Sequence, residues 1–225
     1  FDEGGILYRE TIDTTVEGVG HYEPLRHYAE VHLLLEPAPR GSGVQIGSSC
    51  REDELAGSWQ RLVLTHLAEK TNLGPLLGAP LTDVKITLAA GRAHVKHTEG
   101  GDFRQATYRA VRQGLRTAQA MGACVLLEPW YDFTLRLPPE AVGRALADMP
   151  RLFAQFEPPE TSGEETVLVG KAPVAALRGY AREVAAYTKG RGQLSCLPAG
   201  YAPCHNTQEV VEAGGYEIDG DLENT

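Results

Sequence analysis

The residues with the clearest chemistry lie in a short basic stretch, His94-Val95-Lys96-His97-Thr98-Glu99. Imidazole rings can stack on nucleobases or donate to phosphate, and a lysine ammonium attracts phosphate as a point charge. Glycines at positions 91, 100 and 101 flank the stretch and favour turns. The pattern therefore indicates a loop that contacts nucleic acid, with an ordinary solvated turn as the alternative.

The neighbouring elements are predicted to present this loop at a tip. Before it, Val84, Ile86 and Leu88 alternate with polar residues, which is the period-2 pattern of a half-buried strand. After it, apolar residues from Phe103 to Val111 recur at helical spacing. A helix N-terminus behind the loop would add free amide donors and a partial positive charge, both of which suit a phosphate.

This region resembles domain IV of elongation factor G. In that family an aspartate-valine-lysine-valine-threonine-leucine strand leads through a tip loop into a helix, and here the strand has the sequence Asp83-Val84-Lys85-Ile86-Thr87-Leu88. Gly91, His94 and Phe103 follow at the family's spacing. The sequence Asp102-Phe103-Arg104 is more similar to the tetracycline ribosomal protection branch. The resemblance implies a loop that reaches ribosomal RNA near the decoding centre.

A second loop, Pro24-Leu25-Arg26-His27-Tyr28, precedes a strand of the same predicted sheet and is expected to lie beside the first. This chain lacks the glycine-rich sequence that elongation factor G carries there. In the tetracycline protection proteins a proline of the other loop stacks on RNA near the drug, and Lys96 stands at that place here. The RNA-binding residues implied by the resemblance are Leu25, Arg26, His27, Tyr28, Arg92, His94, Val95, Lys96, His97 and Thr98.

Residues 123–200 are predicted to form a second unit with the element order βαββαβ, which is the ferredoxin-like plan. Leu126-Leu127-Glu128-Pro129 resembles the opening of domain V in the same family, and Thr188-Lys189-Gly190-Arg191-Gly192 resembles the exit of its second helix. Lys189 and Arg191 are predicted as a secondary ribosome contact. The alternative is that they complement the dipole at the helix C-terminus.

The fold class is therefore predicted as α+β with two tandem domains. Residues 1–122 are expected to form a four-stranded βαβ sandwich like domain IV, residues 123–200 the ferredoxin-like domain, and residues 201–225 an acidic tail that begins an extension. Within the first domain, Gly18, Gly20 and Pro24 predict a turn and loop tip over residues 16–26. Ser49 and Glu52 predict a capping box that opens a helix.

Composition limits the function classes. The net charge is −9, but six acids and no lysine or arginine fall after residue 205, which leaves the rest of the chain near neutral. No apolar run approaches the ~20 residues of a membrane span. The sequence does not begin with Met and has no signal peptide, so an excised fragment of a cytoplasmic protein is expected.

No catalytic centre is predicted in this fragment. A phosphate-cradling Gly-x-x-x-x-Gly-Lys-Ser/Thr motif is absent from the sequence, so neither GTP nor any other cofactor is expected here. The resemblance implies that GTP and magnesium belong to N-terminal GTPase domains of a longer chain. Its predicted partners are those domains and the ribosome, both near the decoding centre and at the GTPase-associated region.

Two alternatives remain open at this point. The first is a housekeeping translation factor of the elongation factor G type, without drug release. The second is a stand-alone metal- or nucleotide-binding enzyme that uses His94, His97 and Cys204. The scattered cysteines favour reduced thiols, and a zinc site built from Cys196, Cys204 and His205 lacks a spaced fourth ligand, so no metal is predicted.

Overall fold

A computed structural model describes residues 5–24, 27–94 and 96–220 of the chain. They form two compact units, each assembled from two stretches of sequence. The first unit comprises residues 9–126 and 207–220, and the second comprises residues 5–8 and 127–206. No helix of the described residues has the length and apolar character needed to cross a membrane.

Strands and helices alternate along most of the described chain. The strands are β1 (Arg9–Ile12), β2 (Val16–Tyr22), β3 (Ala29–Pro37), β4 (Val44–Ser48), β5 (Val84–Ala93), β6 (Cys124–Leu137), β7 (Gln155–Phe156), β8 (Glu160–Ser162), β9 (Glu165–Pro173) and β10 (Gln193–Pro203). The helices are α1 (Gly57–Ala68), α2 (Gly100–Ala120), α3 (Val142–Asp148), α4 (Val174–Leu177), α5 (Tyr180–Tyr187) and α6 (Thr207–Gly214). Short 3₁₀ turns cover Pro139–Ala141 and Ile218–Gly220.

The first unit is built on a four-stranded sheet with the order β2-β3-β5-β4. β3 is antiparallel to both β2 and β5, whereas β4 and β5 run parallel and are connected through α1. Alternate residues of β3, from Ala29 to Leu35, are fully buried and share one core with Phe103, Ala106 and Ala110 of α2. The period-2 pattern of the sequence thus places the sheet's apolar face against the helices.

The predicted turn over residues 16–26 is wrong for residues 16–22, which form strand β2. Gly18 and Gly20 do not break the strand but allow α2 to approach the sheet closely. A Cβ atom on Gly18 would lie 2.1 Å from the carbonyl oxygen of Ala110, and one on Gly20 would lie 1.7 Å from that of Ala106. The glycines therefore serve helix–sheet packing rather than chain reversal.

The predicted capping box at Ser49 and Glu52 is also wrong. Helix α1 begins at Gly57, and its N-cap position is Ala56, which makes no side-chain cap hydrogen bond. A capping box instead opens α2, where the backbone N–H of Glu99 donates to Oδ2 of Asp102 at 2.8 Å. In this capping box an acidic pair fills the roles that serine and glutamate usually take.

The second unit has the predicted ferredoxin-like order. β10 pairs with β6, β6 with β9, and both short strands β7 and β8 with β9, all antiparallel. Phe133, Leu135 and Leu168 lie in a core that α3 and α5 complete with Ala145 and Tyr180.

The predicted acidic tail over residues 201–225 is wrong for the residues that the structure describes. Strand β10 continues to Pro203, and α6 follows within four residues. The ring of Tyr216 packs against Gly78, and Leu77 packs against Gly214. Asp219 forms an ion pair with Arg116 of α2. The acidic residues up to position 220 therefore belong to a folded segment of the first unit, since each of these contacts lies within it.

Candidate functional site

The two predicted loops lie side by side at one end of the first sheet. β3 begins and β5 ends at this edge, because Ala29 is the antiparallel partner of Ala93. The backbone N–H of Tyr28 donates to the carbonyl of His97 at 3.0 Å, and Thr98 Oγ1 donates to the carbonyl of Tyr28 at 2.7 Å. We call residues 27–28, 94 and 96–98 the tip loops.

The longer tip loop is a compact turn held by its own polar groups. The backbone N–H of His94 donates to Oγ1 of Thr98 at 2.6 Å, and the N–H groups of His97 and Thr98 both donate to the carbonyl of His94 at 3.0 Å. Thr98 therefore ties the two ends of the turn together and also anchors the turn to Tyr28. These bonds limit the conformational freedom that would be lost on binding.

The side chains of His94, Lys96 and His97 are exposed on this turn. The rings of His94 and His97 stack with their centroids 4.6 Å apart and their planes at 23°. Lys96 is exposed between them in sequence, and its backbone N–H donates to Nδ1 of His94 at 3.3 Å. In the neutral ring the proton of His94 therefore sits on Nε2, which leaves a donor at the outer end of the ring.

Tyr28 lies beneath the exposed tip side chains and is hydrogen-bonded to Glu30. Its hydroxyl donates to Oε2 of Glu30 at 3.1 Å, while Nε2 of His32 lies 3.0 Å from Oε1 and Nε of Arg92 lies 3.9 Å from Oε2. Burial and the bond to Glu30 raise the pKa of Tyr28. Burial would also raise the pKa of Glu30, but hydrogen bonds from His32 and Tyr28 lower it overall.

His27 lies next to the start of α2. Its Nδ1 lies 2.9 Å from Oδ1 of Asp102, whose side chain is almost fully buried at the helix N-terminus. A bound anion would face the negative charge of Asp102 in this position. The predicted use of free amide donors at this helix end to bind phosphate is not supported, because the carboxylate of Asp102 caps the helix.

The structure places the remaining predicted residues as follows. Arg92 is exposed at the end of β5, close to Glu30. Leu25, Arg26 and Val95 lie outside the described residues. In the second unit, Lys189 is exposed in a left-handed turn after α5, with φ of 55°.

Arg191 lies close to Lys189 in sequence but already has a partner. Its guanidinium donates to Oε1 of Glu140 at 2.7 Å, so part of its charge is neutralised by its own chain. These two residues and the tip loops belong to different units.

Sequence reasoning missed the residues that support the tip loops. Glu30 and His32 follow Tyr28 at two-residue steps along β3, so the period-2 alternation would have placed all three on one face. His21, at the end of β2, meets the Tyr28 ring edge-on at 5.3 Å. The supporting role of Asp102 would be visible in the sequence only if Glu99 and Asp102 were recognised as a capping pair.

Comparison with known proteins identifies the family. Residues 4–119 match the family described as "Elongation factor G, domain IV", and residues 125–210 match "Elongation factor G C-terminus". The chain therefore belongs to the elongation factor G family and carries the sequence of its domain IV and its C-terminal domain. The second match extends to residue 210, so the first part of the predicted tail falls within the family's C-terminal domain.

Individual relatives come from both branches named above. The chain is 34% identical over 197 residues to "Tetracycline resistance protein TetP" of Clostridium perfringens, covering 87% of this chain and 29% of TetP. It is 31% identical over 214 residues to "Elongation factor G 2" of Streptomyces coelicolor, covering 88% of this chain and 30% of that protein. It is 30% identical over 203 residues to "Tetracycline resistance protein TetO" of Streptococcus pneumoniae, covering 89% of this chain and 31% of TetO.

The fold has a close counterpart among solved structures. A crystal structure of a Thermus thermophilus protein superposes with a TM-score of 0.79 at 25% identity, covering 95% of this chain and 32% of that one. The chain thus spans less than a third of each of these relatives. The predicted α+β fold class, with a domain like domain IV and a ferredoxin-like domain, is confirmed.

Proposed function

We propose that this chain is the ribosome-binding C-terminal part of a translational GTPase of the tetracycline protection type. In this role the tip loops reach RNA at the decoding centre and release the drug. The observation that carries the proposal is the hydrogen-bonded pair of tip loops at one end of the first unit. They present Lys96 and the stacked His94 and His97 rings to solvent.

The chemistry of the exposed tip suits RNA. Lys96 and Arg92 supply fixed positive charges for phosphate, and the outer faces of the histidine stack are open to a nucleobase. The turn is already folded around Thr98, so binding would order little backbone. Lys96 would replace the rigid proline of the drug-protection proteins with a charged contact.

The family also suggests what the other domains of the full-length protein would do. N-terminal domains would bind GTP and magnesium and hydrolyse GTP in the cytoplasm, while the present residues would need no cofactor. Lys189 would make a secondary contact near the GTPase-associated region of the ribosome. Arg191 would add less to this contact because Glu140 already binds it.

A charge reversal in the full-length protein tests the tip contact. We expect Lys96→Glu to weaken ribosome binding about tenfold at low ionic strength and less at high ionic strength, since salt screens phosphate contacts. Lys85→Glu, at an exposed position on the same strand β5 but far from the tip edge, is the matched control and should bind as wild type. Co-sedimentation with ribosomes at two salt concentrations measures both variants.

Two outcomes separate the alternatives. Unchanged binding and unchanged ribosome-stimulated GTP hydrolysis in a Lys96→Glu, His97→Ala double variant would show that the tip loops are solvated turns. Similarity to elongation factor G 2 supports the second candidate function, a housekeeping factor without drug release. Growth in tetracycline of cells that express the full-length protein distinguishes this candidate, because only a protection protein would raise resistance.

A further inference from the structure

We propose that Glu128, Cys204 and His205 form a zinc-binding site in the second unit. Glu128 lies on β6, and the other two residues follow β10, whose last residues pair with this part of β6. One ligand atom from each residue lies within 4.8 Å of the other two. This site is separate from the tip loops and does not depend on the proposed function.

The distances are close to those around a tetrahedral ion, which would separate Nδ1 of His205 from Glu128 by a few tenths of an ångström. Oε1 of Glu128 accepts the backbone N–H of His205 at 2.8 Å and also lies 2.8 Å from Nδ1 of His205, while Oε2 is the oxygen that faces Cys204. Oε2 lies 3.0 Å from Nδ1 of His205 and 3.6 Å from Sγ of Cys204. In a tetrahedral zinc site with bonds of about 2.0–2.3 Å, neighbouring ligand atoms lie about 3.2–3.7 Å apart.

The surroundings of the Cys204 thiol point to an ion more than to hydrogen bonding. Sγ lies 3.2 Å from Oδ1 of Asn206 as well as 3.6 Å from Oε2 of Glu128. A thiol has one hydrogen and is a weak donor, so it can donate to only one of these two oxygens at a time. A zinc ion would bind the thiolate and the carboxylate together, and Asn206 Oδ1 or a water would complete four ligands.

Charge balance favours the same assignment. The side chain of Glu128 is 1% exposed and lies 2.8 Å from His205, but this pair balances the buried negative charge only when the imidazole is protonated. Zn²⁺ bound by one carboxylate, one thiolate and one neutral imidazole carries no net charge. The mixed set of sulfur, nitrogen and oxygen donors suits zinc, whereas magnesium and calcium prefer oxygen ligands alone.

The sequence alone predicts no metal in this chain, so the proposed zinc site differs from that prediction. The zinc site weighed from the sequence used Cys196 as the third ligand, but Cys196 packs against the hydrophobic core of the second unit. Glu128 takes that place, and it lies far from His205 in sequence, where no spaced motif could reveal it. The His205 ring also packs against Phe153, with centroids 4.4 Å apart, which fixes its orientation.

Cobalt provides the direct test on the 225-residue chain. After removal of metals with a chelator, titration with Co²⁺ should give one equivalent per chain, with a thiolate-to-cobalt charge-transfer band and the visible bands of tetrahedral cobalt. Zn²⁺ should displace the cobalt, with Kd about 1 μM or tighter. Cys204→Ser should abolish the charge-transfer band and weaken zinc binding at least about a hundredfold, while the matched Cys196→Ser leaves both unchanged.

A measurement on the wild-type chain removes dependence on a variant that fails to fold. Zn²⁺ should slow alkylation of Cys204 by iodoacetamide but leave the rate at Cys196 unchanged, as read by peptide mass spectrometry. Equal alkylation rates at Cys204 with and without Zn²⁺ would overturn the proposal. So would the absence of cobalt bands in the folded wild type, or their persistence in a folded Cys204→Ser variant.

Discussion

At the residue scale, carboxylates with several donors organise the first unit. Glu10 is fully buried and accepts backbone N–H bonds from Leu76, Leu77 and Ala79. Asp83, the first residue of the strand that resembles domain IV, accepts the backbone N–H groups of Gly41 and Gly43 and contacts Arg40. Each of these bonds joins segments far apart in sequence, so a single side chain fixes a loop that has little core of its own.

Glu69 is another carboxylate of this kind, and its hydrogen bond with Tyr108 should make the free energy of unfolding depend on pH. Burial and the hydrogen bond to Glu69 raise the pKa of Tyr108 from 10.0 to about 12. Below pH 10 the tyrosine is protonated in both folded and unfolded chains, so its contribution to stability is complete. Between pH 10 and 12 only the unfolded chain loses the proton, so the free energy of unfolding falls as pH rises.

We therefore expect the stability of the wild-type chain to decline more steeply from pH 10 to 12 than that of Tyr108→Phe. Urea unfolding at several pH values in this range measures the difference. The phenylalanine variant is its own control, because it keeps the ring and removes only the titrating hydroxyl. Parallel declines in the two proteins would show that the Glu69 bond does not hold the tyrosine proton.

At the scale of elements, the close approach of α2 to β2 sets the geometry beneath the tip loops. Gly18, Gly20 and Gly114 have no side chains at this contact, and Gly114 faces Gly18 with little space between. The backbones can therefore pack without intervening side chains. His21 lies at the tip end of the same strand, and its carbonyl accepts a hydrogen bond from Arg109 of α2.

Gly20→Ala tests this packing. Its new Cβ would overlap backbone atoms of α2 that cannot rotate away, so we expect a loss of about 3 kcal/mol in the free energy of unfolding. Gly47→Ala in β4 is the matched control, because nothing lies within 4 Å of its Cβ position. It should change stability by less than about 1 kcal/mol. Similar losses in both variants, measured by chemical denaturation, would contradict the close-packing interpretation.

Patterns with a fixed period were predictable, and contacts between distant segments were not. The alternation on β3 and β5 and the ferredoxin-like order follow from spacing alone. The glycines of β2 gave the wrong result because their function depends on a helix about ninety residues later in the chain. The position of the tip loops followed from strand neighbours, whereas Asp102 beneath His27 depended on cap chemistry that the sequence analysis assigned elsewhere.

At the scale of the whole molecule, the two units are discontinuous in sequence. The chain leaves the first unit after residue 126 and returns to it at residue 207. The returning segment packs its Tyr216 ring on Gly78 and pairs Asp219 with Arg116. The first unit is therefore complete only with residues that follow the second unit in the chain.

Truncation tests the contribution of this segment. We expect removal of residues 207–225 to lower the stability of the first unit by about 1–3 kcal/mol and to speed hydrogen exchange at the amide of Leu77. That amide donates to Glu10, beside the contact of Leu77 with Gly214. Removal of residues 221–225 alone is the control and should leave both quantities unchanged. Equal exchange rates in the two truncated chains would show that α6 and the residues after it do not support the loop.

The discontinuity also imposes an order of events during synthesis. A ribosome makes residues 9–126 first, but the segment that completes their unit emerges only after residues 127–206. At about 5–20 residues per second, the intervening stretch takes roughly 4–16 s to make. For that interval Leu77 and Gly78 are synthesised but not yet covered by Gly214 and Tyr216. The nascent chain thus passes through a stage in which the first unit has its sheet and both helices but lacks its last packing segment.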